Sequence, residues 1–399
     1  MIAGTPVLDL DDVASLEAAD SGGILRSAAS GGAQVRATAA AVVEDALGRL
    51  DGLRPRSLVL VSGTGRAARA ATLLQAALGD RAGLPIISAT TIPQWVGSLD
   101  VVIVAGDDSA DPRLTGAVDR ALRRGAEVVV AAPDEGPMRA AAAGRAAVLP
   151  PRIRVLDHNR ILRFLAIGIA VLQAIDPGHI APLVPNLEDL ADVLDAEALR
   201  DGPHNEVFHN PAKTLAARMR ERRLVLTGDS PAAAVVAQHG AEVLLQTAGQ
   251  IAAAVDLTEA VAAHARLVES AETTAPGYDP LFHDEQLDGP PPVDRSRVFV
   301  ISADADQVAA RRRIAVFGSD AGIVDADLVD VDVELMRSEA SVPRDGGTGE
   351  PQSPTAGRGS ELEQLAVLVL RLEMAAAYLR LLSGPTAASR PAHYDGGHY

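Results

Sequence analysis

The 399-residue chain contains no cysteine, which excludes disulfides, a thiolate zinc site and a cysteine nucleophile. Aromatic residues make up only 3% of it. Any core must therefore be built from Val, Leu, Ile and Ala, the usual material of central parallel strands and their covering helices. Long apolar runs are scarce as well. The longest, 164–175, is about half of the ~20 residues a membrane span requires, and reads as a buried helix closed by Asp176-Pro177-Gly178. Positive charge is in deficit: 36 Lys and Arg against 53 Asp and Glu leave a formal net charge of −17. Binding a phosphate backbone needs a basic face, so neither nucleic acid nor a membrane is an expected partner. Asp9, Asp11 and Asp12 stand close behind Met1, in place of the basic and apolar blocks of a signal peptide, and the chain reads as cytoplasmic. The nine histidines show no H-x-x-x-H or H-E-x-x-H spacing, so no metal and no cofactor is expected.

What the chain does have is one pattern that occurs twice. Leu58-Val59-Leu60-Val61 leads into Ser62-Gly63-Thr64-Gly65 and an alanine-rich helical stretch over 66–78. Leu224-Val225-Leu226-Thr227 leads into Gly228-Asp229-Ser230 and a helix that runs past Leu245. A buried parallel strand feeding a helix N-terminus leaves unpaired backbone N–H groups pointing outward, a ready anion site. Further strands are expected at 86–88, 101–105 and 128–131, and in the second half at 298–302, 314–317 and 328–331. Helices are expected over 11–50, 114–124 and 160–175. Strands alternating with helices predict an α/β fold of two doubly wound domains, each a parallel five-stranded sheet flanked by helices. The expected boundaries are 1–176, a Pro- and Asp-rich connector over 177–211, and 212–399, with a Gly-, Pro- and Ser-rich loop at 343–359 and a closing helix at 361–382.

Five separated pieces resemble one family in order: Asp20-Ser21-Gly22-Gly23-Ile24-Leu25; Asn210-Pro211-Ala212-Lys213-Thr214-Leu215-Ala216; the Gly228 turn with its helix; His283-Asp284-Glu285 between Pro280 and Gly289; and Glu373-Met374-Ala375-Ala376-Ala377-Tyr378-Leu379. The chain resembles the two-domain sugar isomerase (SIS) proteins related to bifunctional phosphoglucose/phosphomannose isomerase, in particular their divergent actinobacterial members. That resemblance implies a sugar phosphate as ligand, a site completed by a second subunit of a homodimer, and an isomerase that interconverts glucose or mannose 6-phosphate with fructose 6-phosphate. The reaction moves a proton between adjacent carbons through an enediol, so it needs a carboxylate base, a histidine that opens the ring, and hydroxyls or amides for the phosphate dianion.

By resemblance His283 takes the ring-opening position and Glu285 the acid that follows it. The base position of the family is occupied by Gln246, whose amide cannot take a proton at neutral pH. Glu242, one helical turn earlier on the same face, and Glu285 are the candidate bases in its place. Ser62, Gly63, Thr64, Gly65 and Arg66 form the expected phosphate turn, with Ser109 as a further hydroxyl and Lys213 as a possible substrate contact. Asp107, Asp108 and Asp111 stand where the family has a Ser- and Thr-rich loop, and would repel a dianion. Residues 250–279 read as an inserted segment near the pocket. Gln246 and the three aspartates favour a second reading: a catalytically degenerate sugar-phosphate sensor or assembly partner. A dinucleotide fold is a weaker competitor, because Gly63-Thr64-Gly65-Arg66-Ala67-Ala68 lacks the third glycine and Ile86-Ile87-Ser88 carries no acid for a ribose.

Overall fold

A computed structural model describes residues 8–273, 295–303, 308–318, 324–331 and 360–383. The first sheet contains β1 (Ser57–Ser62), β2 (Ile86–Ala89), β3 (Asp100–Ala105), β4 (Glu127–Ala131) and β5 (Ala147–Val148), all parallel, in the order β2-β1-β3-β4-β5. Side chains along a strand alternate between its two faces. In β1, Leu58 and Leu60 therefore enter one apolar core while Val59 and Val61 enter another. The second sheet contains β6 (Arg223–Gly228), β7 (Ala252–Asp256), β8 (Ser296–Ile301) and β9 (Val324–Val329), again all parallel, in the order β7-β6-β8-β9.

The helices before the first sheet are α1 (Val13–Ala19), α2 (Ile24–Ala28) and α3 (Gly31–Val43), three elements where the composition suggested one helical region. Those of the first sheet are α4 (Arg66–Leu78), α5 (Pro112–Arg123), α6 (Gly136–Ala142) and α7 (Ile161–Ile175). The connector holds α8 (Pro177–Ile180) and α9 (Leu187–Arg200). It leads into α10 (Pro211–Met219), α11 (Pro231–Ala248), α12 (Leu257–Ala262) and α13 (His264–Thr273). A closing helix, Glu361–Leu382, ends the described chain.

Several expectations need correction. The second sheet has four strands among the described residues, not five. The run Ile314-Ala315-Val316-Phe317 is not a strand: it ends the short helix Val308–Ile314 and continues as the 3-10 turn Ala315–Gly318. Of the expected insertion 250–279, residues 252–273 form β7, α12 and α13, part of the sheet and its crossover, and 274–279 lie outside the described residues. The expected loop at 343–359 lies outside the described residues.

One core joins the two sheets. It takes in Leu58 and Leu60 of β1, Leu224 and Leu226 of β6, nearly all of α7, and the closing helix. The closing helix is buried at Leu362 and continuously from Leu365 to Leu379, and it packs on α2, α9, α10 and α11. The helical stretch Asp157–Ile175, which contains α7, is the one described segment long and apolar enough to cross a membrane, yet 78% of it is buried inside the protein. There it packs against α3 and α4 as a core helix.

Candidate functional site

In an open parallel sheet, ligands bind at the carboxyl ends of the strands where the strand order reverses. In the first sheet that point lies between β1 and β3. The turn 62–65 leaves β1 there, and Gly65 enters α4 with φ of 78°, a left-handed backbone that suits glycine. A Cβ on Gly63 would lie 3.8 Å from Asp111 Oδ2, so this turn meets the loop that follows β3.

The aspartates of that loop serve its own backbone and neighbours. Asp108 accepts from the Ala110 N–H at 2.8 Å, and Asp111 caps α5 by accepting from the Arg113 N–H at 2.8 Å. Asp107 pairs with Arg160 at 2.9 Å. Ser109 turns its hydroxyl towards Glu135 at 3.4 Å, on the far side from α4. The open space lies on the other flank of β1. A cleft of about 450 Å³ is lined there by Ser62, Gly63, Ser88, Thr90 and Thr91.

Arg66 of the expected phosphate turn meets the expected base positions of α11, because α4 packs on α11. Arg66, the first residue of α4, is 4% exposed. Its guanidinium donates to Glu242 Oε2 at 2.6 Å, to Gln246 Oε1 at 2.7 Å and to His239 Nδ1 at 3.1 Å. Arg69, one turn further along α4, donates to the other oxygen of Glu242 and to Gln238. Glu242 is thus shared between two guanidiniums, each taking one oxygen.

Behind Arg66 lies a buried polar chain. An arginine can only donate, so His239 must accept at Nδ1 and carry its proton on Nε2. That Nε2 faces Glu373 Oε1 at 2.9 Å. Glu373 Oε2 accepts from Asn159 Nδ2 at 2.8 Å, and Asn159 Oδ1 accepts from the Ser27 hydroxyl at 2.8 Å. Burial holds His239 well below the usual histidine range, and the nearby charges of Arg66, Arg69 and His158 push the same way. Burial also pushes Glu373 up to about 8, against the Asn159 hydrogen bond and the charge of Arg66. The two donors aimed at Glu373 suit a carboxylate, whereas its apolar surroundings favour the protonated acid. Burial prevails up to mildly alkaline pH.

Lys213 does not join this cluster. It is buried beneath the connector, donating to the carbonyls of Pro203 at 2.8 Å and Asn205 at 2.7 Å, with its ammonium 5.7 Å from the centre of the Tyr378 ring. His283 and Glu285 lie outside the described residues. His239, Arg69 and Asn159 escaped the sequence reading, and Glu373 entered it only as part of the closing-helix motif. The spacing of His239, Glu242 and Gln246, three and then four residues apart, puts them on one helical face and was the available signal. Glu373 offered a fainter one, a lone acid within the apolar stretch of the closing helix that follows Arg371.

The sequence matches no protein-family model and no curated protein. Its fold does match solved structures. Tagatose-6-phosphate ketose/aldose isomerase from Escherichia coli superposes with a TM-score of 0.55 at 12% identity, covering 90% of this chain and 92% of that one. The C-terminal domain of glucosamine-fructose-6-phosphate aminotransferase from Francisella tularensis gives 0.54 at 8% identity, with 90% and 95% covered. A candidate phosphosugar isomerase from Clostridium difficile 630 gives 0.57 at 8% identity, with 90% and 93% covered. At these identities the likeness is one of fold.

Proposed function

We propose that the chain, which shares its fold with phosphosugar isomerase structures, binds a sugar phosphate at the turn 62–65 and acts as an aldose–ketose isomerase of the SIS type. The observation that supports this reading is the contact of Arg66, the first residue of α4, with both Glu242 and Gln246 of α11. The phosphate would lie at the start of α4 beside Arg66, and the cleft on the β2 flank, away from Asp111, would offer the hydroxyls of Ser62, Ser88, Thr90 and Thr91 to the rest of the sugar. The N-terminus of α4 adds backbone N–H groups and a partial positive charge. Glu242 is then the base that moves the proton between adjacent carbons, and His283 opens the ring. Glucose and mannose 6-phosphates interconverting with fructose 6-phosphate are the proposed substrates, in a cytoplasmic homodimer.

A second reading has its own support. Gln246 cannot serve as a base, and Glu242 is held by two guanidiniums, which favours a sensor or assembly partner that binds the sugar without converting it. A coupled assay with the three 6-phosphates, run beside thermal shift with the same ligands, tests both. Turnover lost in Glu242→Gln and in His283→Ala supports the isomerase. A ligand-induced rise in melting temperature without turnover supports the sensor, and no response in either measurement overturns sugar-phosphate binding itself.

A further inference from the structure

We propose that Arg66 and Arg69 form an anion-binding pair that Glu242 occupies in the free protein, so that a ligand phosphate and the Glu242 carboxylate compete for the same two guanidiniums. The proposal rests on the phosphosugar reading for the identity of the anion and adds how the site is regulated. Three observations carry it. The two arginines lie three residues apart on one face of α4, and each takes a separate oxygen of Glu242, the bridging arrangement a phosphate would also accept. The two partners differ in burial: the Arg66 side chain is 4% exposed, whereas that of Glu242 is 37% exposed. The carboxylate stands at the solvent side of the pair, where an incoming anion arrives.

The third observation concerns what keeps the cation in place. His239 accepts from Arg66 on the side opposite solvent and is itself held by Glu373. The Arg66 guanidinium therefore remains held by two neutral acceptors, His239 and Gln246, when the carboxylate leaves, and Arg69 keeps the Gln238 amide. Among the described residues Glu242 is the only acid paired with either arginine. Two cations facing one carboxylate leave a local excess of positive charge in a chain whose net charge is −17. Displacement has a chemical consequence: Glu242, released from both guanidiniums, becomes the free carboxylate that the isomerase reading uses as its base.

Isothermal titration of the full-length protein with inorganic phosphate and with fructose 6-phosphate, at neutral pH and at low and high salt, tests the competition. Glu242→Gln removes the internal competitor at constant shape and is expected to tighten phosphate binding roughly tenfold at low salt, with the gain shrinking at high salt. Gln238→Glu adds a second competitor on Arg69 and is expected to weaken binding, which gives an independent test should Glu242→Gln fold poorly. Equal affinities in wild type and both variants overturn the competition, as does failure of Glu242→Gln to bind either probe. If inorganic phosphate follows both variants while fructose 6-phosphate does not bind, the competition holds and the phosphosugar reading falls. If fructose 6-phosphate binds the wild type and neither variant changes it, the phosphosugar reading holds and the competition falls.

Discussion

At the scale of single residues, the buried pair of His239 and Glu373 makes stability depend on pH in a way that can be worked out. Glu373 is raised to about 8 from an ordinary 4.5. Its contribution is full below pH 4.5 and is lost as pH rises towards 8, because the unfolded chain ionises there while the folded one keeps its proton. His239 is depressed from 6.5, so its contribution is full above 6.5 and is lost as pH falls below that. Between pH 6.5 and 8 only Glu373 of the two acts. Glu373→Gln should remove a decline of roughly 1.4 kcal/mol per pH unit in that window, read as the difference between wild-type and variant denaturation midpoints; parallel midpoints would refute it. Lys213→Met should cost about 1–3 kcal/mol by leaving the Pro203 and Asn205 carbonyls unpaired, while phosphate affinity stays at the wild-type value. Part of this was legible in advance: Arg66, Glu242 and Gln246 are local to motifs. Their meeting was not, since Arg66 and Glu242 are 176 residues apart in the chain, and a histidine on an apolar helix does not announce an acid on another one.

At the scale of elements, the approach of α11 to its own strand is set by Gly228. A Cβ there would lie 2.1 Å from the Ala234 backbone nitrogen and 2.3 Å from the Ala233 carbonyl carbon. Backbone cannot yield as a side chain can, so Gly228→Ala should destabilise by about 3 kcal/mol or more and shift α11, with a fall in melting temperature and in phosphate affinity together. The closing helix has a comparable dependence. Its Arg371 donates to Glu197 at 2.7 Å, and Glu197, fully buried, also receives Arg200. Glu197→Ala would strand Arg371 in the interior, an expected loss of about 3–5 kcal/mol in chemical denaturation. Elements with strong apolar runs, such as β1, β6 and α7, were readable because burial on both faces demands β-branched and leucine residues over a short span. β7 was not. Its Ala252-Ala253-Ala254 continues the alanine-rich composition of α11, and only pairing with β6 makes it a strand. β5 spans two residues, too short for any periodicity to register.

At the scale of the whole molecule, the two sheets share one core, and the residues that bridge them come from both halves of the sequence. A truncation in that core is expected to be felt by both. Leu74→Ala, on α4 where Gly168 of α7 comes close, should cost about 2–5 kcal/mol. Hydrogen exchange should report the loss equally in β1 and β6; protection that drops in β1 alone would mean the sheets open separately. The closing helix gives this shared core a place in time as well as in space. It follows both sheets in the chain, so on the ribosome each sheet emerges before the helix that covers α2, α9, α10 and α11. Until residues 361–382 have been synthesised, the apolar faces of those four helices lack their cover, and an interruption of translation before that point would leave a fragment suited to chaperone capture rather than to function.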